Sequence, residues 1–294
     1  MESLEFSKQH ESQEKQPPTL VLSFLRHAER EIDENKNDVD IGLTQKGKQQ
    51  AFDTGESDQL ERQVAFSSPR KRAQETAGFV MLAKNVGLEQ ERDESLEEIQ
   101  SLLKPASLRI DERLDFAIDV NSEFSKTMVD EYKRGQYLKF LIEDSDALAE
   151  RLGDSTTLTY KRSAAQIAEI IKDHVAIVPR WDQMVRHANK PNDHVLERVL
   201  VSHGGVLESF LARIIEETRG VEVRNAFLGS LNNEGFGYAG GFTAEISIDE
   251  DTKNPVVRIN YKAAKEGGPQ FEFHESVDDA LLEKITSIQN EKSA

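Results

Sequence analysis

The chain has no cysteine, which excludes disulfides, thiolate nucleophiles and cysteine-bound metals. No apolar stretch approaches the roughly 18 residues needed to span a bilayer. Residues 1–18 are polar, without the apolar core of a signal peptide, and read as a disordered lead-in ending at Pro17-Pro18. A cytoplasmic location is the resulting expectation. Positive charge is also scarce: 37 Lys and Arg stand against 54 Asp and Glu, for a net charge of -17. The summed field repels polyanions, so neither nucleic acid nor a membrane surface is expected as a partner. A small anionic ligand is not excluded, because a few local arginines outweigh a distant field screened over about 10 Å. At 294 residues, 37% hydrophobic and 31% charged, the chain is long and apolar enough to bury a full core.

The residues that are present alternate between strand and helix signals. Apolar runs at 19–25, 63–66 and 198–202 each lead into an amphipathic segment, at 43–54, about 70–85 and 206–217. Thr44 is a candidate N-cap, and Ser67-Ser68-Pro69 marks another helix start. A further helix is expected over 159–174, an antiparallel pair at 242–248 and 256–261, and a closing helix at 278–289. Between about 105 and 160 strand-like runs vanish and charged helical periodicity takes over, which reads as a helical insertion. The order predicts an α/β fold: a three-layer α/β/α sandwich with a mostly parallel central sheet. The domain spans 19–275, with residues 276–294 as a C-terminal helix and tail.

Three of these strand-to-helix turns carry chemistry. His27 follows the first strand within Arg26-His27-Ala28-Glu29, and His203 follows another within Ser202-His203-Gly204-Gly205. Arg70 and Arg72 stand in the first turn of a helix, where backbone N–H groups and the dipole already favour an anion. The glycines let a ligand approach the backbone closely. Two histidines and two arginines at such turns make a pocket for a dianion, and phosphate suits the arginine fork best. The remaining histidines, His10, His174, His187, His194 and His274, lack ligand spacing and read as surface residues; no metal site is expected.

With these motifs the chain resembles the histidine phosphatase superfamily, which includes the cofactor-dependent phosphoglycerate mutases. The carrying residues are Arg26-His27, the run Ser67-Ser68-Pro69-Arg70-Lys71-Arg72-Ala73-Gln74-Glu75-Thr76-Ala77, Ser202-His203-Gly204-Gly205, and Leu43-Thr44-Gln45-Lys46-Gly47-Lys48-Gln49-Gln50-Ala51. The resemblance implies a metal-independent, cofactor-free phosphatase. His27 is its nucleophile, becoming a phosphohistidine as it takes the phosphoryl group from a small phosphorylated metabolite. It implies Arg26, Arg72, His203 and Gly204 as phosphate ligands, with His203 also catalytic. A carboxylate in a Leu-x-Glu stretch then serves as proton donor, which points to Glu98 within Leu96-Glu97-Glu98, with Glu97 as the fallback. Ala28 stands where the family usually has glycine, and Arg30 where many members have threonine. Arg30 and Arg70 become candidate substrate contacts. Gly205 replaces an asparagine of the mutases and favours hydrolysis. Two alternatives remain at this level: a phosphoglycerate-type mutase with the same intermediate, for which the insertion would be the lid, and an inactive phosphate- or phosphoprotein-binding module. Lys104, Lys133 and Arg134 are further cations available to a second anionic group.

Overall fold

The computed structural model describes residues 17–57, 62–85, 94–188, 194–232, 234–263 and 270–287. The expected disordered lead-in lies outside these residues apart from its last two, as does the chain beyond 287. The described strands are β1 (Thr19–Arg26), β2 (Arg62–Ser67), β3 (Leu108–Ile110), β4 (Val195–Ser202), β5 (Gly241–Ile248), β6 (Pro255–Lys262) and β7 (Glu272–Val277). They form one sheet in the order β3-β2-β4-β1-β5-β6-β7. The strands from β3 to β1 pair in parallel, and those from β1 to β7 pair antiparallel. The parallel half is the one built through helical crossovers. The short β5–β6 connection, by contrast, can join only antiparallel neighbours.

Period-two alternation divides the strand side chains between two helical layers. Leu20, Leu22 and Phe24 of β1 face α7 (Tyr160–Ala188), α8 (Val206–Arg219) and α10 (Asp279–Thr286), in one cluster with Ile167, Ile171, Phe210, Ile214 and Leu282. Leu25, Ala65, Val199 and Val201 face the other way, against Ala51 of α1 (Gln45–Ser57) and Ala73, Ala77 and Val80 of α2 (Lys71–Asn85). Each fully buried Leu, Ile or Phe contributes about 1.5–3 kcal/mol. The expected three-layer α/β class is therefore what the residues build. Thr44 accepts from the Gly47 backbone N–H at 2.9 Å, the N-cap expected for α1.

Other expectations change. The 105–160 segment is not purely helical, because β3 lies within it and pairs with the end of β2. Three residues are too few to display an alternation. The rest of the segment holds α4 (Glu123–Lys133), α5 (Tyr137–Glu143) and α6 (Ser145–Leu152). These helices share a small cluster of Phe124, Phe140, Leu148 and Ala149. Leu138, Leu141 and Ile142 also join the main core, which ties the segment to the domain. Helix α7 continues through Pro179 to Ala188, well past the expected end at 174, because Val178 and Val185 extend its buried face. Helix α9 (Val221–Ser230) and β7 had no expectation. Strand β7 is a polar edge strand, fully burying only Phe273 and Val277, so its pattern is faint. His174 is buried rather than on the surface; its Nδ1 lies 2.7 Å from the Ile170 carbonyl, and burial pushes its pKa down to about 4.

Candidate active site

Strand register brings the motif turns to one edge. Arg26 pairs with Ser202, and Ser67 pairs with both Val201 and Ile110, so four parallel strands end side by side. The carboxyl edge of parallel strands is where α/β folds place their sites. Backbone bonds fix the turns: His27 N–H donates to the Ser202 carbonyl at 2.9 Å, Ser68 N–H to Val201 at 3.1 Å, and Asp111 N–H to Ser67 at 2.9 Å.

His27 and His203 are thereby brought together, their ring centroids 5.2 Å apart. Both are buried. His27 Nδ1 lies 2.7 Å from the Ala28 carbonyl oxygen. A carbonyl only accepts, so Nδ1 carries the proton and Nε2 keeps a free lone pair. Burial, reinforced by His203, Arg72 and Arg26, holds the His27 pKa well below the ordinary value, and the ring is neutral near pH 7. Ala28 N–H donates to Thr76 Oγ1 at 3.0 Å, which locks the turn onto α2. Position 28 has no positive φ, so a methyl group is accommodated in place of the family's glycine.

Around His27 lies unused hydrogen-bonding capacity. Arg26 Nε, Arg72 Nε, His203 Nδ1 and Ser67 Oγ are buried without a partner. Buried polar atoms of this kind are rare in folded proteins, and four on the turns that converge here mark a place for a polar ligand. Arg26 is held by its Nη1 donating to the Phe236 carbonyl at 2.6 Å, and its guanidinium lies 4.9 Å from the Tyr238 ring centroid. Gly204 lies flat against Arg26; a Cβ there would stand 3.2 Å from Arg26 Nε. His203 Nε2 is 2.7 Å from Ser68 Oγ and 3.4 Å from Asp115 Oδ1, and burial brings its pKa to about 4. Among the described residues no group of three His, Asp or Glu side chains is arranged to hold a metal ion.

The expected proton donor is not in this pocket. Glu98 caps α3 (Leu96–Leu102): its carboxylate accepts from Ser95 N–H at 2.7 Å, while Ser95 Oγ accepts from Glu98 N–H. The side chain is exposed and engaged in this cap, and its pKa is lowered by the Ser95 backbone bond. The Leu-x-Glu pattern here is a capping box. Glu97 is exposed as well. The carboxylate that does lie beside His203 is Asp115, just beyond β3. Burial pushes its pKa up, but His203 and Arg70 outweigh that and hold it below the usual range. The signal would have been a strand ending level with Ser67, and β3 is too short to give one.

Arg30 and Arg70 are turned to protein carboxylates. Arg70 Nε meets Asp115 Oδ1 at 2.5 Å, its Nη1 bonds Asp38, and its guanidinium stacks 3.8 Å from the Phe116 centroid. Arg30 Nη1 is 3.4 Å from Asp38 Oδ1. Arg72 donates to the Asp38 carbonyl at 2.7 Å and to its carboxylate at 3.0 Å. Asp38 belongs to the acidic 30–42 loop, where no pattern distinguishes it from its exposed neighbours. Lys104, Lys133 and Arg134 are exposed, and Arg134 pairs with Glu131 at 2.7 Å.

Residues 22–102 match the family model of the histidine phosphatase superfamily, branch 1. The similarity to that superfamily therefore lies in the N-terminal third of the chain. The match covers the turns of His27 and Arg72, while the His203 turn joins them through β4. Solved structures similar to this chain include a mycobacterial hydrolase, at 18% identity over 92% of this chain and 97% of that one, with a TM-score of 0.49. Another is a mycobacterial glucosyl-3-phosphoglycerate phosphatase, at 19% identity over 78% and 90%, TM-score 0.44. A third is a mutant phosphoserine phosphatase from Entamoeba histolytica in complex with phosphoserine, at 18% identity over 81% and 94%, TM-score 0.43. No curated protein sequence matches.

Proposed function

We propose that the protein is a phosphomonoester hydrolase that works through a phosphohistidine on His27. The observation that carries this reading is the ring of buried, unpartnered atoms around a neutral histidine whose Nε2 lone pair is free. His27 Nε2 attacks phosphorus, the P–Nε2 bond forms, and the ester P–O bond breaks in line. Arg26, Arg72 and Ser67 donate to the phosphoryl oxygens as charge spreads over them. His203, protonated on arrival of the dianion, donates to them from Nδ1. Its Nε2 and Asp115 hold a proton between them, which passes to the leaving alkoxide. In the second step water attacks the phosphohistidine, the same pair takes up its proton, and the P–Nε2 bond breaks to release phosphate. The substrate is a small phosphorylated metabolite.

The test is hydrolysis of para-nitrophenyl phosphate in EDTA by the wild type and His27→Ala, with rapid quenching to trap the phosphoenzyme. Expected are metal-independent turnover and an acid-labile, alkali-stable phosphoenzyme, both lost in the variant. Turnover undiminished in His27→Ala overturns the reading.

A further inference from the structure

Asp38 stands on the phosphate arginines as an anion supplied by the chain itself. Its carboxylate meets Arg72 Nη2 at 3.0 Å and Arg30 Nη1 at 3.4 Å, and also bonds Arg70 Nη1. With the Asp38 carbonyl on Nη1 at 2.7 Å, each terminal nitrogen of Arg72 donates one N–H to Asp38. Its Nε is buried without a partner, and each terminal nitrogen keeps one further N–H. Arg70 is equally committed: Nη1 to Asp38, Nε to Asp115 at 2.5 Å and Nη2 to the Phe116 carbonyl at 3.2 Å.

This position is built into the fold. Asn37 Oδ1 accepts from Val39 N–H in a 3-10 turn over Asp38–Asp40. Glu31 N–H donates to the Gly42 carbonyl at 2.9 Å, and Leu43 N–H donates to the buried Glu75 carboxylate at 2.7 Å. The loop is thus fastened to itself and to α2. The Asp38 carboxyl is partly desolvated, which pushes its pKa up, but Arg72, Arg70 and Arg30 outweigh this and keep it ionised.

Asp38 and Asp115 lie against Arg30, Arg70 and Arg72 and offset part of their positive charge, which weakens the field available to any anionic group beyond the phosphate. A second anionic group on the substrate would meet guanidinium groups already paired with a carboxylate, and the half-exposed Asp38 carboxylate beside them would repel it. The rings beside the two histidines are Tyr238, 6.3 Å from that of His27, and Phe116, 4.9 Å from that of His203. Both suit an uncharged body. We propose that Asp38 determines specificity, restricting this site to phosphate monoesters of uncharged alcohols; the inference rests on the phosphomonoesterase reading above.

Glycerol 3-phosphate and 3-phosphoglycerate test this directly, since they differ at one end of the same carbon chain by a hydroxymethyl against a carboxylate. The ratio of their kcat/KM values is measured for wild type, Asp38→Asn and Asp38→Glu. Any general damage to Arg72 affects both substrates and cancels in the ratio. Expected is a wild-type preference for glycerol 3-phosphate of tenfold or more. Asp38→Asn should move that ratio at least tenfold toward 3-phosphoglycerate, and Asp38→Glu should retain it. Calorimetric binding of both compounds to His27→Ala, with and without Asp38→Asn, gives the same comparison without turnover. A wild-type preference for 3-phosphoglycerate, or a ratio and relative affinity unmoved by Asp38→Asn, overturns the proposal. Binding discrimination without any turnover by the wild type overturns the hydrolase reading and leaves the role of Asp38 standing.

Discussion

The imidazole planes of His27 and His203 are inclined at 58° with their centroids 5.2 Å apart, so the two rings meet neither stacked nor edge-on. Each ring is fixed by a different turn, one through the Ala28 carbonyl and the other through Ser68. The rings therefore hold unequal roles. His203→Gln is expected to lower kcat on para-nitrophenyl phosphate by about 10²–10⁴-fold while the phosphoenzyme still forms, whereas His27→Ala forms none. Quench-flow measurement separates the two. A His203→Gln variant with wild-type kcat contradicts this division.

The two candidate carboxylates give opposite expectations. Asp115→Asn should reduce kcat for an alkyl phosphate about 10²-fold or more, and much less for para-nitrophenyl phosphate, whose leaving group needs no proton. Glu98→Gln should leave both within about twofold, because glutamine also serves in a capping box. Parallel kcat measurements on the two substrates decide. Equal losses on both substrates for Asp115→Asn would remove it from proton transfer.

Buried neutral histidines couple stability to pH. His203 and His174 have folded pKa values near 4, and His27 is also depressed. The unfolded chain takes up protons below about pH 6.5, while the folded chain resists them. Stability is thus present above that pH and lost as pH falls toward 4, at about 1.4 kcal/mol per pH unit for each histidine. Urea denaturation of His174→Gln at pH 6.5, 5.5 and 4.5 should show a slope shallower by about that amount. An unchanged slope would mean that His174 is charged in the folded protein.

Gly205 has φ +93°, and a Cβ there would come within 2.3 Å of Tyr137 Oη and 2.9 Å of a Leu141 methyl. Gly205→Ala therefore meets both backbone strain and overpacking, which together cost about 2–5 kcal/mol. Thermal melting should show a clear drop in Tm. Gly135, at φ +69° with open space around it, is the control: alanine there should cost only about 1 kcal/mol. Equal losses at the two positions would argue against steric contact with Tyr137.

How much of this was legible in the sequence depended on how locally each residue is specified. Arg26, His27, Arg72 and His203 were readable because each follows a strand with clear alternation or opens a helix with recognisable caps. Register then placed them together. Asp115 was not readable, because its position depends on β3, whose pairing with β2 is a tertiary event three residues long. Asp38 was hidden for the opposite reason: it lies among many acids, and only the folded loop selects the one that meets the arginines. Glu98 misled because its pattern satisfies a helix end as well as a proton donor. Strand β7 went unread as an edge strand with one polar face, while β5 and β6 alternate plainly.

Tyr137 opens α5, and its hydroxyl donates to the Gly204 carbonyl at 3.3 Å, so the segment between β3 and α7 rests directly on the turn that presents His203. That contact restricts how this protein can be remodelled. Grafting a different segment over the mouth to accept a new alcohol would also unseat the backbone beneath His203. Substrate choice and rate would then change together, and a designer would have to rebuild the support under Gly204 before altering what the mouth admits.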